Sequence, residues 1–259
     1  MTFFFWVMKI IATTLGETFG DLLAQTWQLG YPLATAILVG FLIITLVAQM
    51  IAKNYHPALY WLVILSTSTA GTTISDMMNR TFDMGYMWGS ITLASLLGLS
   101  LVAWYLWLGS LSVDRVTNLR TESMFWLAIL VSNTLGTSLG DYMGDESGLV
   151  FASCVIVLGG LILACALFYY FTSMSRVLLF WAAFVLTRPL GATGGDLLTK
   201  SEEVNGLDLG TQNASIVLAV ALAVCIGIEY WWRRRPAGAA TVDDEDDDDM
   251  APGVEPHAG

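Results

Sequence analysis

An eight-residue segment that ends in Asp occurs four times along this chain of 259 residues. The copies span residues 14–21, 69–76, 134–141 and 189–196. Fifteen residues before each Asp stands a Trp that follows another aromatic residue: Trp6, Trp61, Trp126 and Trp181. The Asp-to-Asp spacings are 55, 65 and 55 residues, so the two halves superimpose with an offset of 120 residues. These spacings predict an ancestral pair of helices that was duplicated twice.

The composition predicts that these copies lie in a membrane. Hydrophobic residues make up 56 % of the chain, charged residues only 13 %, and the mean hydropathy is +0.65. A soluble chain of this length needs more polar surface. Because a helical crossing takes roughly 20 apolar residues, we expect eight transmembrane helices near residues 3–24, 30–52, 57–78, 86–108, 123–143, 148–171, 177–198 and 211–232. The first run contains a copy of the segment and no small-residue cleavage site, so we interpret it as a retained helix.

The predicted fold is therefore all-α: a polytopic membrane protein of four two-helix repeats, at residues 1–54, 55–112, 120–174 and 175–233. Because each repeat crosses twice, all four enter from the same side and are parallel, which predicts a pseudo-fourfold arrangement with a nested twofold. The transmembrane domain is expected over 1–235. The acidic run at 243–249 predicts that 236–259 is a disordered tail.

Lysine and arginine are unevenly distributed between the predicted loops. Only Arg80 and Lys200 fall on one side, whereas the N-terminal side carries Lys53, Arg115, Arg120, Arg176 and Arg233 to Arg235. The positive-inside rule then predicts that both termini, and the acidic tail, are cytoplasmic. The bilayer is the expected partner, nothing indicates nucleic acid, and the oligomeric state stays open. The tryptophans that begin the odd-numbered helices suit an interfacial aromatic belt.

Each repeated segment has two distinct faces. In the first copy, Thr14, Glu17, Thr18 and Asp21 share one helical face, and Gly16 and Gly20 share the neighbouring one. Small residues at this spacing let helix backbones approach closely in lipid. Four parallel helices packed this way would direct their oxygen atoms at a common axis. The alternative for any single Thr is a hydrogen bond to its own backbone, and for the Asp residues a role at the helix end.

The residue four places after each Asp separates the copies into two kinds. Arg80 follows Asp76 and Lys200 follows Asp196, which predicts structural or gating ion pairs. Gln25 and Asp145 follow the other two. We therefore expect Glu17, Asp21 and Asp141 to form the cation or metal site. The predicted supporting hydroxyl groups are those of Thr18, Thr73, Ser138 and Thr193.

Arg188 is a basic residue near the middle of the seventh predicted helix. We expect it to neutralise Glu17 or an Asp when no cation is bound. The alternative is that it hydrogen-bonds a carbonyl group released by Pro189.

Carboxylates and hydroxyl groups without His or Cys favour hard cations: Na⁺, Mg²⁺, Ca²⁺, Mn²⁺ or protons. The sequence indicates no cofactor beyond a bound divalent cation. It contains no nucleotide-binding loop and no intramembrane nucleophile–base pair, so we expect neither an ATP-driven pump nor an enzyme. The leading hypothesis is transport of a hard cation, with Mn²⁺ first, in exchange for protons. The alternatives are a proton-coupled carrier of a small organic solute, with Trp88, Trp104 and Trp107 near the solute, or a non-transporting scaffold or sensor.

The aromatic–Trp pair followed by Gly-x-(Thr/Ser)-x-(Gly/Ser)-Asp resembles a prokaryotic family of membrane proteins with four tandem two-span repeats of unknown function. The resemblance covers the chain up to Arg235 and departs from the pattern at Glu17, Pro189 and Ala192. It implies the eight-helix architecture and the plasma membrane of a prokaryote. It implies no substrate.

Overall fold

The computed structural model describes residues 3–52, 55–109, 119–147 and 149–234, and these residues form eight α-helices and no strand. The predicted all-helical architecture is thus confirmed. The helices are α1 (Phe3–Asp21), α2 (Tyr31–Ile51), α3 (Pro57–Asp76), α4 (Tyr86–Leu108), α5 (Leu119–Asp141), α6 (Phe151–Phe171), α7 (Arg176–Thr199) and α8 (Gly210–Arg234). The predicted tail at 236–259 lies outside the described residues, as do Lys53 and Arg115.

Five of these helices are long and apolar enough to cross a membrane: α2, α4, α6, α7 and α8. Helices α1, α3 and α5 contain more hydroxyl and carboxyl groups, and those groups point into the protein. In α3, for example, Ser66, Thr67, Ser68 and Thr69 are all almost completely buried. The apolar helices indicate a membrane protein.

The four odd-numbered helices form an inner ring, in which α1 packs against α3, α3 against α5, α5 against α7, and α7 against α1. Each even-numbered helix lies outside this ring against the odd helix of the following repeat: α2 on α3, α4 on α5, α6 on α7 and α8 on α1. The outer helices expose large apolar side chains such as Ile44, Leu99, Ile156 and Val220. The ring therefore collects the polar residues and the outer helices present an apolar surface.

Glycines set the close spacing of the ring helices. At each interface a glycine of one repeat lies against a residue of the next repeat. That residue is always three positions before the equivalent glycine. The pairs are Gly16 with Ser68, Gly71 with Asn133, Gly136 with Arg188, and Gly191 with Thr13. Because equivalent positions meet at all four interfaces, the ring helices run parallel and in register. The small-residue face read from the sequence is the face that makes these contacts.

The aromatic–Trp pairs close one end of this ring, which we call the tryptophan end. Trp61, Trp126 and Trp181 are buried, and the Phe5 ring lies 5.6 Å from that of Trp61. Trp6 lies 5.9 Å from Phe180 in the same way. The expected interfacial belt is therefore wrong for Trp61, Trp126 and Trp181, because other side chains cover them. The short distance between ring helices turns their large side chains toward one another.

The glycine contacts generate a prediction about stability. A Cβ added to Gly71 would lie 3.0 Å from the Thr134 backbone nitrogen, so Gly71→Ala should destabilise the fold by about 1–3 kcal/mol, as overpacking does. Gly98, in α4, has nothing within 4 Å of the same position and is the matched control. Gly98→Ala should leave stability unchanged or raise it by about 0.5–1 kcal/mol. Thermal unfolding in detergent compares the two, and equal melting temperatures would contradict this account of the ring.

Candidate functional site

The centre of the ring holds a buried ion pair between the first and fourth repeats. A guanidinium nitrogen of Arg188 lies 3.0 Å from a carboxylate oxygen of Glu17, and the two side chains are 0 % and 4 % exposed. Arg188 was expected to neutralise Glu17 or an Asp, and the structure selects Glu17. With so little solvent the pair cannot be screened by water or salt, so each charge depends on the other.

All four ring helices contribute to this pair. Arg188 donates hydrogen bonds to the backbone carbonyl groups of Thr13 and Ser68, each at 3.3 Å, and to the hydroxyl oxygen of Thr137 at 2.7 Å. It also donates to the hydroxyl oxygen of Thr72. The Thr72 and Thr137 hydroxyl groups lie 3.1 and 3.3 Å from the Glu17 carboxylate. The alternative that Arg188 serves a carbonyl released by Pro189 is not what the structure shows, because its backbone partners belong to α1 and α3.

Residue register explains why these side chains meet. Glu17, Thr72 and Thr137 each stand four residues before the Asp of their repeat, so parallel helices in register bring them to one level. In the fourth repeat this position is Ala192. The sequence pattern predicts Thr18, Thr73 and Ser138 beside Glu17, and the structure places Thr72 and Thr137 there instead. The signal for Thr72 and Thr137 was present in the sequence, in their equivalence to Glu17.

The predicted supporting hydroxyl groups have other partners. Those of Thr18, Thr73 and Thr193 donate to carbonyl groups one turn earlier in their own helices. Ser138 instead accepts hydrogen bonds from Asn79 at 2.9 Å and from Ser90 at 3.0 Å. Ser138 thus connects α5 to α4 and to the turn after α3, and the Thr18 hydroxyl group also accepts a hydrogen bond of 3.0 Å from Ser215 of α8. None of the four hydroxyl groups bonds Glu17 among the described contacts.

The four repeated aspartates lie together at the other end of the ring, the aspartate end. Their exposed fractions are only 2–5 %. Each carboxylate interacts electrostatically with Glu17 and with at least one other repeated Asp. That the four copies direct their carboxylates at one shared site stays a prediction. Like charges so close together repel unless cations or protons compensate them.

Two of these aspartates form the ion pairs expected from the sequence. Arg80 lies 3.4 Å from Asp76 and also 3.7 Å from Asp145 of the third repeat. Lys200 lies 3.6 Å from Asp196. Although burial disfavours the charged form of Lys200, the Asp196 carboxylate raises the pKa of its ammonium group above the ordinary range. Arg80 and Lys200 therefore stay positively charged at the aspartate end of the ring.

The other two aspartates lack a basic partner among the described residues. Asp21 accepts a hydrogen bond of 2.6 Å from the side-chain amide of Gln25. One carboxylate oxygen of Asp141 is buried and has no hydrogen-bond partner. The helices continue past Asp21, Asp76 and Asp141 as single wide turns of π-helix. In the first two of these turns, Gln25 and Arg80 lie against the preceding carboxylate.

The predicted metal ligands are not arranged as a ready-made metal centre. Across the described ranges, no group of three or more His, Cys, Asp or Glu side chains is placed to hold a metal ion. The Glu17 carboxylate interacts electrostatically with Asp21 and Asp141, but it is already paired with Arg188. Two open pockets of about 370 and 290 Å³ lie among the loop residues of the aspartate end, and neither is lined by the five buried carboxylates. A cation could bind these carboxylates only after local rearrangement.

Sequence comparison identifies the family to which this chain belongs. The profile described as Repeat of Unknown Function (DUF347) matches four times, at residues 4–55, 59–107, 124–175 and 179–235. The chain belongs to this family. No curated protein and no solved structure matches the sequence. The resemblance seen in the aromatic–Trp pairs and Asp segments is confirmed.

The geometry also relates Glu17, one departure from the family pattern, to Arg188, which stands next to the departure at Pro189. Glu17 adds a negative charge to the first repeat, and Arg188 adds a positive charge to the fourth, beside Pro189. In the structure these residues neutralise each other. Ala192 packs against Gly140 of the third repeat, where an added Cβ would lie 2.8 Å from its methyl carbon. The extra negative charge of the first repeat is thus neutralised by the extra positive charge of the fourth.

A double-mutant cycle tests this pairing. Glu17→Thr leaves Arg188 buried without its counter-charge, and Arg188→Asn does the converse for Glu17; both introduce residues found at equivalent positions in other repeats. Each single variant should lose about 3–5 kcal/mol of stability, as expected when one partner of a buried ion pair is removed. The double variant should be clearly more stable than the sum of the two losses predicts. Additive losses in thermal unfolding would show that the pair does not act as a unit.

Proposed function

We propose that this protein is a secondary transporter that carries a hard cation, with Mn²⁺ the leading candidate, in exchange for protons. One observation carries the proposal. Five buried carboxylates, those of Glu17 and the four repeated aspartates, share a region in which the ion pairs supply three cationic groups: Arg188, Arg80 and Lys200. Buried negative charge in excess is costly inside a membrane. Protons or mobile cations would neutralise the remaining carboxylates, and a site that binds both can exchange one for the other.

The proposal includes eight membrane crossings. Helices α1, α3 and α5 would cross even though they are less apolar, because their hydroxyl and carboxyl groups face the ring and not the lipid. The outer helices would form the lipid surface. We further propose the plasma membrane of a prokaryote as the location, with the tryptophan end and both termini on the cytoplasmic side.

Arg188 acts in this proposal as a built-in competitor for the cation. Its guanidinium group occupies Glu17 and the two hydroxyl groups beside it, which are the oxygen atoms that a hard cation would use. An incoming cation must displace Arg188 from Glu17. When the cation leaves, Arg188 returns and keeps Glu17 from remaining as an unpaired charge. The ring centre would thus never hold a bare carboxylate.

The four aspartates divide the remaining tasks. Asp76 and Asp196, fixed by Arg80 and Lys200, would shape the mouth of the ring. Asp21 and Asp141, without basic partners, would be the groups that exchange a cation for protons on the way to Glu17. No enzymatic step enters this scheme.

The structure favours one alternative over the other. For the organic-solute carrier we expected Trp88, Trp104 and Trp107 near a solute. However, Trp104 is fully buried against Trp181, and Trp88 and Trp107 are about 60 % exposed on the outer surface. For the scaffold, the well-bonded packing around Arg188 is a specific supporting observation. We keep the scaffold as the second candidate.

Binding and uptake of Mn²⁺ test the proposal directly. Asp21→Asn and Asp141→Asn should each weaken Mn²⁺ binding in isothermal titration about tenfold or more, and should slow Mn²⁺ uptake into proteoliposomes driven by a pH gradient. Glu203→Gln removes an exposed carboxylate from the loop before α8 and is the control, expected to behave as the unmodified protein.

The outcomes separate the candidates. Uptake of Na⁺ or Ca²⁺, but not Mn²⁺, with the same dependence on Asp21 and Asp141 would keep the transport proposal and change the ion. If the variants fold, and neither they nor the unmodified protein bind or transport a cation, the transport proposal fails and the scaffold function remains.

Cysteine labelling tests whether α3 crosses the membrane, since α3 is not among the five most apolar helices. In a background without the native Cys154, Cys165 and Cys225, His56→Cys and Asp83→Cys place exposed thiols just before and after α3. A membrane-impermeant maleimide should reach only one of them in sealed vesicles. Labelling of both from the same side would show that α3 does not cross.

A further inference from the structure

Asp145 is a carboxylate that the transport scheme above does not use. It stands one turn after Asp141, at the position that Arg80 and Lys200 hold in the second and fourth repeats. Its side chain is 35 % exposed, and one carboxylate oxygen lies 3.7 Å from a guanidinium nitrogen of Arg80. The third repeat thus places a second, more exposed carboxylate beside the cation that already pairs with the buried Asp76.

Arg80 is shared between these two carboxylates. Its Nε atom lies 3.4 Å from Asp76, whose side chain is 2 % exposed, and its Nη2 atom reaches Asp145. Both distances exceed the roughly 2.7–2.9 Å of a close charge-assisted hydrogen bond. The guanidinium group is therefore not held tightly by either carboxylate. A movement from one to the other would keep Arg80 paired throughout and avoid the cost of an isolated charge.

Two tyrosine rings also contact Arg80. Its guanidinium carbon lies 5.9 Å from the centroid of the Tyr31 ring, at the start of α2, and 5.5 Å from that of Tyr86, at the start of α4. An aromatic face stabilises a cation at this distance. These contacts keep the positive charge at the aspartate end, whichever carboxylate it is paired with.

Lys200, the equivalent residue of the fourth repeat, does not have the same choice of partners. Among the described residues it forms an ion pair with Asp196 alone. The repeat that follows it around the ring is the first, which carries Gln25 at the position of Asp145. The arrangement with two carboxylates is therefore specific to Arg80, and Lys200 provides an internal comparison.

The space beside Asp145 is open to solvent. Asp145 lines the pocket of about 290 Å³ together with residues of the loop before α8, such as Asn205. A guanidinium group that moves from Asp76 to Asp145 thus moves toward water and not into packed protein.

We propose that Arg80 is a gate with two positions, and that Asp145 holds it in the open one. In the closed position Arg80 neutralises Asp76. In the open position Arg80 pairs with Asp145 alone, and the released Asp76 carboxylate binds a hard cation on its way to Asp21 and Asp141. The cation then supplies the positive charge that Arg80 has withdrawn. This inference rests on the proposed function, because it assigns how the cation enters the aspartate end.

Asp145→Asn tests the gate because it removes the open position and keeps the size of the side chain. Mn²⁺ uptake into proteoliposomes should fall about two- to fivefold, the factor that corresponds to a partly exposed ion pair. Asp145→Glu keeps the charge and should retain most of the uptake. Glu146→Gln removes the neighbouring exposed carboxylate of the same turn and is the matched control, expected to transport as the unmodified protein does.

The same substitution in an Arg80→Gln background separates a gate from a direct effect on the cation. Without Arg80 there is nothing for Asp145 to hold, so adding Asp145→Asn should change uptake no further. If it slows uptake equally in both backgrounds, Asp145 acts on the cation itself and the gate is overturned. If Arg80→Gln does not fold in detergent, its pair with Asp76 is required for folding and does not open, which also overturns the gate.

Two further results separate this inference from the proposed function. If Asp145→Asn is folded and takes up Mn²⁺ as fast as the unmodified protein, the gate is overturned while transport stands. If the unmodified protein moves no cation, the proposed function fails and this inference fails with it.

Discussion

The structure depends on the close parallel packing of four helices around a buried ion pair. Glycines at equivalent positions let each ring helix approach the next, and this approach is what places Glu17 and Arg188 from opposite ends of the chain 3.0 Å apart. The pair in turn connects all four helices, because Arg188 bonds carbonyl or hydroxyl oxygens on α1, α3 and α5. Small residues bring the helices together, and the charges fix their arrangement.

The same packing creates an electrostatic problem at the aspartate end. A residue repeated four times in parallel helices is necessarily brought to one level, so four carboxylates meet where one would already be costly. Arg80 and Lys200 compensate two of them, and Asp21 and Asp141 stay uncompensated by any ion pair of the described residues. Arg188 gives Glu17 an internal counter-ion, whereas Asp21 and Asp141 have none among the described residues. This difference is the physical basis for assigning exchange to Asp21 and Asp141 and competition to Arg188.

Much of the architecture could be predicted because duplication makes the sequence redundant. A helix read from one copy was supported by the other three, so the eight helices and the four-residue spacing of small residues could be predicted without coordinates. The contacts within the site were less accessible. Thr18 and Thr73 stand next to Asp-bearing faces in sequence, yet their hydroxyl groups bond their own backbone, and Thr72 and Thr137 reach Glu17 instead. Neighbouring positions on a helix differ by about 100° in direction, and only the packing decides which of them faces the axis.

The amino-acid sequence by itself determined the membrane setting, the four repeats, the family and the ion pairs that join Asp76 to Arg80 and Asp196 to Lys200. These are consequences of composition, periodicity and one-turn spacing, which act within a single helix. The tertiary structure decided which helices are neighbours, that aromatic side chains of different repeats pack against one another, and that Glu17 meets Arg188. These contacts join residues that are far apart in the chain. They depend on how closely separate helices approach, and no local pattern specifies that distance.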